Sequence, residues 1–206
     1  MQDLYQALRL FKEDDYRTNH DLYESLSESQ TPHSLFISCS DSRVSPERLL
    51  RAYPGEIFQI RNIANIVPHS SQSNDNTATT SAIEYALEVL AVENIIVCGH
   101  SNCGGCAAAI NPSFDAGKLP FTGAWISQLH ELSDYVNEIH AEASIEFKSR
   151  KLEKLNVIKQ IDNLMSYVNI RKKVEEGVLK INGWHYNIGL GEISIYNELI
   201  QDFMVI

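Results

Sequence analysis

Ile95-Ile96-Val97-Cys98-Gly99-His100-Ser101-Asn102-Cys103-Gly104-Gly105-Cys106 decides how the rest of the chain is read. A short apolar run stops at a glycine, then a histidine, and three positions later a cysteine. A second stretch has the same shape: Leu35-Phe36-Ile37-Ser38-Cys39-Ser40-Asp41-Ser42-Arg43. Each reads as a buried strand that delivers soft metal ligands at its carboxyl end. Together they offer Cys39, His100 and Cys103. Two thiolates and an imidazole suit a tetrahedral zinc ion with one position left open, the arrangement a catalytic site needs.

Outward from these motifs, strands alternate with helices. Ser45-Pro46-Glu47 is a helix start, with serine as cap and proline in the first turn, and Pro54-Gly55 ends that helix. Residues 57–61 form a second strand, residues 62–80 a long loop, and Ile83, Ala86, Leu87 and Leu90 a helical stripe leading into the third strand at 94–98. After a loop at 112–122, Trp125, Leu129, Leu132, Val136 and Ile139 mark one helix. Leu152, Leu155, Ile158, Ile161 and Leu164 mark another, and the polar residues 142–151 connect the two. A fourth strand is expected at 178–181 and an edge strand at 193–196, after the turn at Gly189 and Gly191. Before all of these, residues 2–12 and 22–26 read as two helices of an N-terminal arm, separated by a polar segment and closed by Thr31-Pro32. That arm folds back on its own domain or packs on a neighbouring subunit.

This order predicts an α/β fold: a mostly parallel central sheet of four strands plus an edge strand, helices on both faces, and an N-terminal helical arm over residues 1–30. A single domain is expected over 1–206. In such sheets ligands bind beyond the carboxyl ends of the strands, where Cys39 and His100 lie.

Of the 206 residues 44% are hydrophobic and 21% charged, enough for a sizeable core. The net charge of −10 argues against nucleic acid or an anionic membrane surface as partner. No apolar run reaches the roughly 20 residues of a membrane span, and the N-terminus lacks the pattern of a signal peptide. Three of the four cysteines crowd into residues 98–106, which fits metal or redox chemistry in a reducing, cytoplasmic compartment better than a disulfide framework.

Two thiolates and one imidazole make a formally neutral unit with a doubly charged ion. Water there should ionise less readily than at a three-imidazole site, where its pKa is about 7. Asp41 is two residues from a ligand and could hydrogen-bond that water or coordinate the metal. Arg43, a permanently charged fork, can hold the carboxylate ionised and turned away from the metal.

Cys-Ser-Asp-Ser-Arg at 39–43 and His-Ser-Asn-Cys-Gly-Gly at 100–105, with 57 residues from Arg43 to His100, resemble the β-class carbonic anhydrases. The stretch Pro54-Gly55-Glu56-Ile57-Phe58-Gln59-Ile60-Arg61-Asn62-Ile63-Ala64-Asn65 is similar to that family too, as are Ile83-Glu84-Tyr85-Ala86 and Gly183-Trp184-His185-Tyr186. The resemblance implies one zinc ion per subunit on Cys39, His100 and Cys103, with Asp41 and Arg43 as catalytic dyad. It implies reversible hydration of carbon dioxide to bicarbonate and a proton by zinc-bound hydroxide. In the plant-like subgroup, residues matching Gln30, Phe58 and Tyr85 and the backbone amide of Gly104 line the substrate pocket. That pocket forms at a dimer interface, so a homodimer or a dimer of dimers is expected, with some of these residues serving the partner's zinc. Another subgroup, which carries a regulatory bicarbonate pocket, has tryptophan in place of Phe36 and glycine in place of Ser38; the pocket is not expected here.

The competing readings are a structural zinc site completed by Cys106 or Cys98, and a redox pair at Cys103 and Cys106. A hydrolase of the same fold acting on carbon disulfide or carbonyl sulfide is the enzymatic rival, and a non-catalytic zinc-binding module the other. Asp41 and Arg43 as an ordinary surface ion pair, and Phe58 and Tyr85 as ordinary core residues, are the bland alternatives at those positions.

Overall fold

The computed structural model describes residues 3–206; the chain divides into two units, Met1–Thr31 and Pro32–Ile206. In the first unit α1 (Leu4–Leu10) is capped by Asp3, whose carboxylate accepts the Tyr5 N–H at 3.0 Å. It continues through a π-helical turn, Phe11–Asp15, into α2 (Tyr16–Thr18), and α3 (His20–Leu26) follows. The polar segment expected to interrupt the arm is therefore largely helical. Side chains that look solvated in sequence stitch it together: the Tyr23 hydroxyl donates to Asp15 at 2.7 Å, and the Tyr16 and Tyr23 rings stack at 5.2 Å. Residue 2, included in the expected first helix, lies outside the described residues.

The second unit is built on six strands: β1 (Ser34–Cys39), β2 (Ile57–Asn62), β3 (Asn94–His100), β4 (Lys180–Asn187), β5 (Glu192–Asn197) and β6 (Asp202–Val205). Their order is β2-β1-β3-β4-β5-β6, parallel from β2 to β4 and antiparallel from β4 to β6. The sheet is thus one strand wider than expected, and β5 is interior. β6 escapes a pattern search because it is only four residues long. β4 is longer than expected because pairing with β3 carries it through Gly183 and Trp184 to Tyr186, which no apolar run announces.

Helices fill the connections: α4 (Pro46–Leu50), α5 (Thr77–Glu88), α6 (Gly104–Ile110), α7 (Pro120–Ile126), α8 (His130–Ile139), α9 (Ile145–Met165) and α10 (Val168–Glu175). Part of the long loop at 62–80 is 3-10 helix, and α7 begins inside the loop expected at 112–122, with Pro120 in its first turn. Strand alternation sorts the core. Leu35, Ile37, Ile95 and Val97 pack with Leu87 of α5, Val157 and Leu164 of α9 and Ile170 of α10. Phe36, Ile96 and Cys98 face the other way, with Leu50 and Trp184 against them. No described helix is long and apolar enough to cross a membrane.

α9 is the element whose buried face departs most from its sequence pattern. Leu152, Ile161 and Leu164 are buried as expected, but Leu155 and Ile158 are only partly covered. Apart from Val157, the rest of the buried face is polar: Ser149, Glu153, Asn156, Gln160 and Asn163. Asn156 donates to the Ala64 carbonyl at 2.8 Å, Gln160 accepts the Val67 N–H at 2.8 Å, and Asn163 donates to the Val67 carbonyl at 2.7 Å. These bonds satisfy backbone groups of a segment that cannot satisfy its own, because Ala64 and Asn65 adopt left-handed φ values of 60° and 47°. Two strand glycines let the helix come this close. A Cβ on Gly99 would lie 2.7 Å from Val157 Cγ2, and one on Gly183 would lie 2.8 Å from Ile161 Cδ1.

Candidate metal centre

β1 and β3 end side by side, Ser38 opposite Cys98 in register, and the chain turns sharply after each. Cys39 ends β1, His100 ends β3, and Cys103 is the N-cap of α6. All three are buried, and their ligand atoms lie within 4.8 Å of one another. The Cys39 and Cys103 sulfurs are 4.0 Å apart. Zinc–sulfur bonds of about 2.3 Å in a tetrahedron place two sulfurs about 3.8 Å apart, so the spacing suits the ion. The imidazole suits it too. His100 Nδ1 lies 2.9 Å from the Ser101 carbonyl, to which it donates, and the buried Nε2 has no hydrogen-bond partner. A ring held in that tautomer presents a lone pair at Nε2, as a metal ligand requires.

Without a cation the thiols hold their protons tightly. Cys39 is pushed up to about 12, first by the neighbouring Cys103 sulfur and then by burial. Cys103 is pushed up to about 12 as well, chiefly by Cys106 beside it. Cys106 is nevertheless outside the group whose ligand atoms converge, and Cys98 belongs to the cluster on the opposite face of the sheet. Among the described residues, no fourth cysteine or histidine joins the three.

Asp41 and Arg43 form a fork. Arg43 donates through Nε to Oδ1 at 2.9 Å and through Nη2 to Oδ2 at 2.7 Å, and its backbone N–H also reaches Oδ1 at 2.9 Å. The guanidinium holds the Asp41 carboxyl well below the usual carboxylate range. Oδ2 stands 3.9 Å from His100 Nε2, so the ionised carboxylate sits at the rim of the ligand triangle. Arg43 Nη2 also donates to the Asn102 carbonyl at 3.1 Å, tying the first turn to the second. Arg61 braces the first turn from β2, donating to the carbonyls of Cys39, Asp41 and Val44 at 3.2, 2.7 and 2.8 Å. An arginine at a strand end gave no sign of this role in sequence.

A cavity of about 320 Å³ opens beside Cys39 and Asp41, lined also by Ile63, Gly104, Phe114 and Leu119 among others. The apolar wall of Phe114 and Leu119 comes from a segment read only as a loop. A larger cavity of about 550 Å³, near Leu87 and Lys173, contains no thiol or imidazole. Of the expected pocket residues, Gly104 lines the cavity beside Cys39. Phe58 and Tyr85 do not; their rings pack on each other at 6.0 Å, with Tyr85 46% exposed. Gln30 belongs to the N-terminal unit and is exposed.

The family model described as carbonic anhydrase matches residues 34–193. A carbonic anhydrase of Helicobacter pylori strain J99 is 39% identical over 191 residues, covering 91% of this chain and 86% of the relative. One from Pseudomonas aeruginosa is 37% identical, covering 99% and 91%. Among solved structures, the β-carbonic anhydrase CcaA superposes with a TM-score of 0.93 at 33% identity, covering 98% of both chains. The tetrameric β-carbonic anhydrases of Sordaria macrospora give 0.78 at 31%, covering 93% of this chain and 94% of that one.

Proposed function

The chain belongs to the β-class carbonic anhydrases, and we propose on that footing that Cys39, His100 and Cys103 hold one zinc ion per subunit for the reversible hydration of carbon dioxide to bicarbonate and a proton. The observation that carries this reading is the convergence of two thiols and one correctly tautomerised imidazole, with no fourth cysteine or histidine among the described residues, beside a carboxylate already committed to an arginine. Zinc held there would supply a Lewis acid that lowers the pKa of water, so that a nucleophile forms from neutral to mildly alkaline pH.

The chain's own groups supply direction. Asp41, kept ionised by Arg43, is an acceptor that cannot take up a proton near neutral pH and that orients an O–H at the rim of the triangle. Arg43 also turns that carboxylate away from a ligand role, leaving the approach through the cavity to solvent and substrate. Carbon dioxide has no charge and no hydrogen to donate, so it suits a cavity walled by Ile63, Phe114 and Leu119. The backbone N–H of Gly104, at the same cavity, serves an oxygen of the substrate or of bicarbonate.

Gln30, Phe58 and Tyr85 complete the pocket of a partner subunit in a homodimer or dimer of dimers. The absence of Phe58 and Tyr85 from the cavity beside their own chain's Cys39 supports this, as does the tetrameric state of the Sordaria macrospora enzymes. Four free, buried cysteines support a reducing, cytoplasmic setting. Stopped-flow carbon dioxide hydration by the zinc-loaded protein tests the activity. Wild type should turn over, and Asp41→Ala, with its zinc retained, should fall by about 10²- to 10⁴-fold. A zinc-loaded wild type inert at alkaline pH contradicts the reading.

A further inference from the structure

Glu153 is the most deeply buried acidic side chain in the protein's core, 2% exposed on α9, and it takes no part in the chemistry just described. A carboxylate is almost never buried this far without partners. Its partners here are specific. One oxygen accepts the N–H of the ligand Cys103 at 3.0 Å, across fifty residues of chain, and the other lies 3.5 Å from Nε2 of the buried His185. Glu153 does not border the cavity over Cys39 and Asp41; it borders a separate one with Asn102 and Ala107.

The turn from His100 to Cys103 needs such support. Asn102 is left-handed at φ 57°, a region uncommon outside glycine that asparagine enters more readily than most residues. Ser101, Asn102 and Cys103 are each anchored from outside the turn, Ser101 also through its Oγ, which accepts the Ile188 N–H at 3.0 Å. The Ser101 N–H donates to the Tyr186 carbonyl at 2.9 Å, the Asn102 carbonyl accepts from Arg43, and the Cys103 N–H is held by Glu153. The last of these is the only one that bears directly on a ligand residue.

We propose that Glu153 is a positioning residue: from the rigid face of α9 it fixes the backbone of Cys103 and so aims that sulfur at the metal, which sets how firmly the metal is kept. This rests on the reading of Cys39, His100 and Cys103 as ligands. Groups that orient a metal ligand from behind typically change metal affinity by about 10- to 100-fold when removed.

The test is metal release from the full-length, zinc-loaded protein into excess chelator, together with the visible spectrum of the cobalt-loaded form. Glu153→Ala should release zinc about 10- to 100-fold faster than wild type and shift the thiolate-to-cobalt bands. Glu153→Gln keeps an oxygen that accepts the same N–H and should restore both readouts to within about threefold of wild type. Asn163→Ala removes another polar anchor of α9 and should lower the melting temperature while leaving release and spectrum unchanged. If Glu153→Ala does not fold, Glu153→Asp, one methylene too short, takes its place with accelerated release expected. Wild-type release and spectrum in the folded Ala or Asp variant overturn the proposal, and so does an Asn163→Ala variant that loses metal equally fast. A wild type that takes up no metal overturns the ligand assignment, and this role with it.

Discussion

The two turns at 39–43 and 100–103 and the helix α9 contribute to the same site by opposite means. The turns hold reactive side chains and little packing of their own, so their geometry is borrowed. α9 holds no ligand, yet its buried face reaches the Cys103 N–H through Glu153 and the segment at Ala64–Val67 through Asn156, Gln160 and Asn163. The comparison separates what the chemistry needs from what the placement of that chemistry needs. Ligand type is constrained by the metal, whereas support can come from any donor or acceptor that reaches.

Breaking the turns should have the larger effect. Cys39→Ala removes one of three ligands, and zinc measured by plasma mass spectrometry should fall from about one per chain to near zero, with hydration at background. Full zinc retention would mean that the ligand set lies elsewhere. Acid should act on the same turns. Cys39 and Cys103 are pushed up to about 12, so both thiols are protonated in the metal-free fold near neutral pH and two protons must leave as metal binds. Protons therefore compete with the metal, and apparent affinity should fall as pH falls, by up to about a hundredfold per pH unit. Competition titrations across pH 6 to 8 measure the slope; a flat profile would mean that the thiolates are not the ligands.

Breaking α9 away from the Glu153 side chain should cost stability first. Asn156→Leu strands the buried Ala64 carbonyl and should lower unfolding free energy by about 1–3 kcal/mol in denaturant titration. Gly99→Ala drives a methyl to 2.7 Å from Val157 Cγ2 and should cost a similar 1–3 kcal/mol as helix and strand move apart. If either change left stability untouched, the helix would be a softer support than its bonding implies.

The same division explains what could be read in advance. The convergence of Cys39, His100 and Cys103 was legible because few residue types suit zinc and their strand-end positions limit where they point. The pairing of Asp41 with Arg43 was legible because a carboxylate and a fork two residues apart readily meet. Glu153, Asn156, Gln160 and Asn163 were not, since on a helix such residues look like a solvated face, and the leucine and isoleucine pattern beside them diverted the reading of α9. β6 and the second half of β4 depend on pairing with distant strands, which a local pattern does not carry. Phe114 and Leu119 line the cavity through the path of an irregular segment, and nothing in their sequence neighbourhood points to it.

Zinc K-edge X-ray absorption on the purified, metal-loaded protein tests the central claim most directly. Two sulfurs at about 2.3 Å and two nitrogen or oxygen neighbours at about 2.0–2.1 Å are expected from Cys39, Cys103, His100 and a solvent position. A shell of three or four sulfurs would draw Cys106 or Cys98 onto the metal and make the site structural, and a shell without sulfur would contradict the account outright.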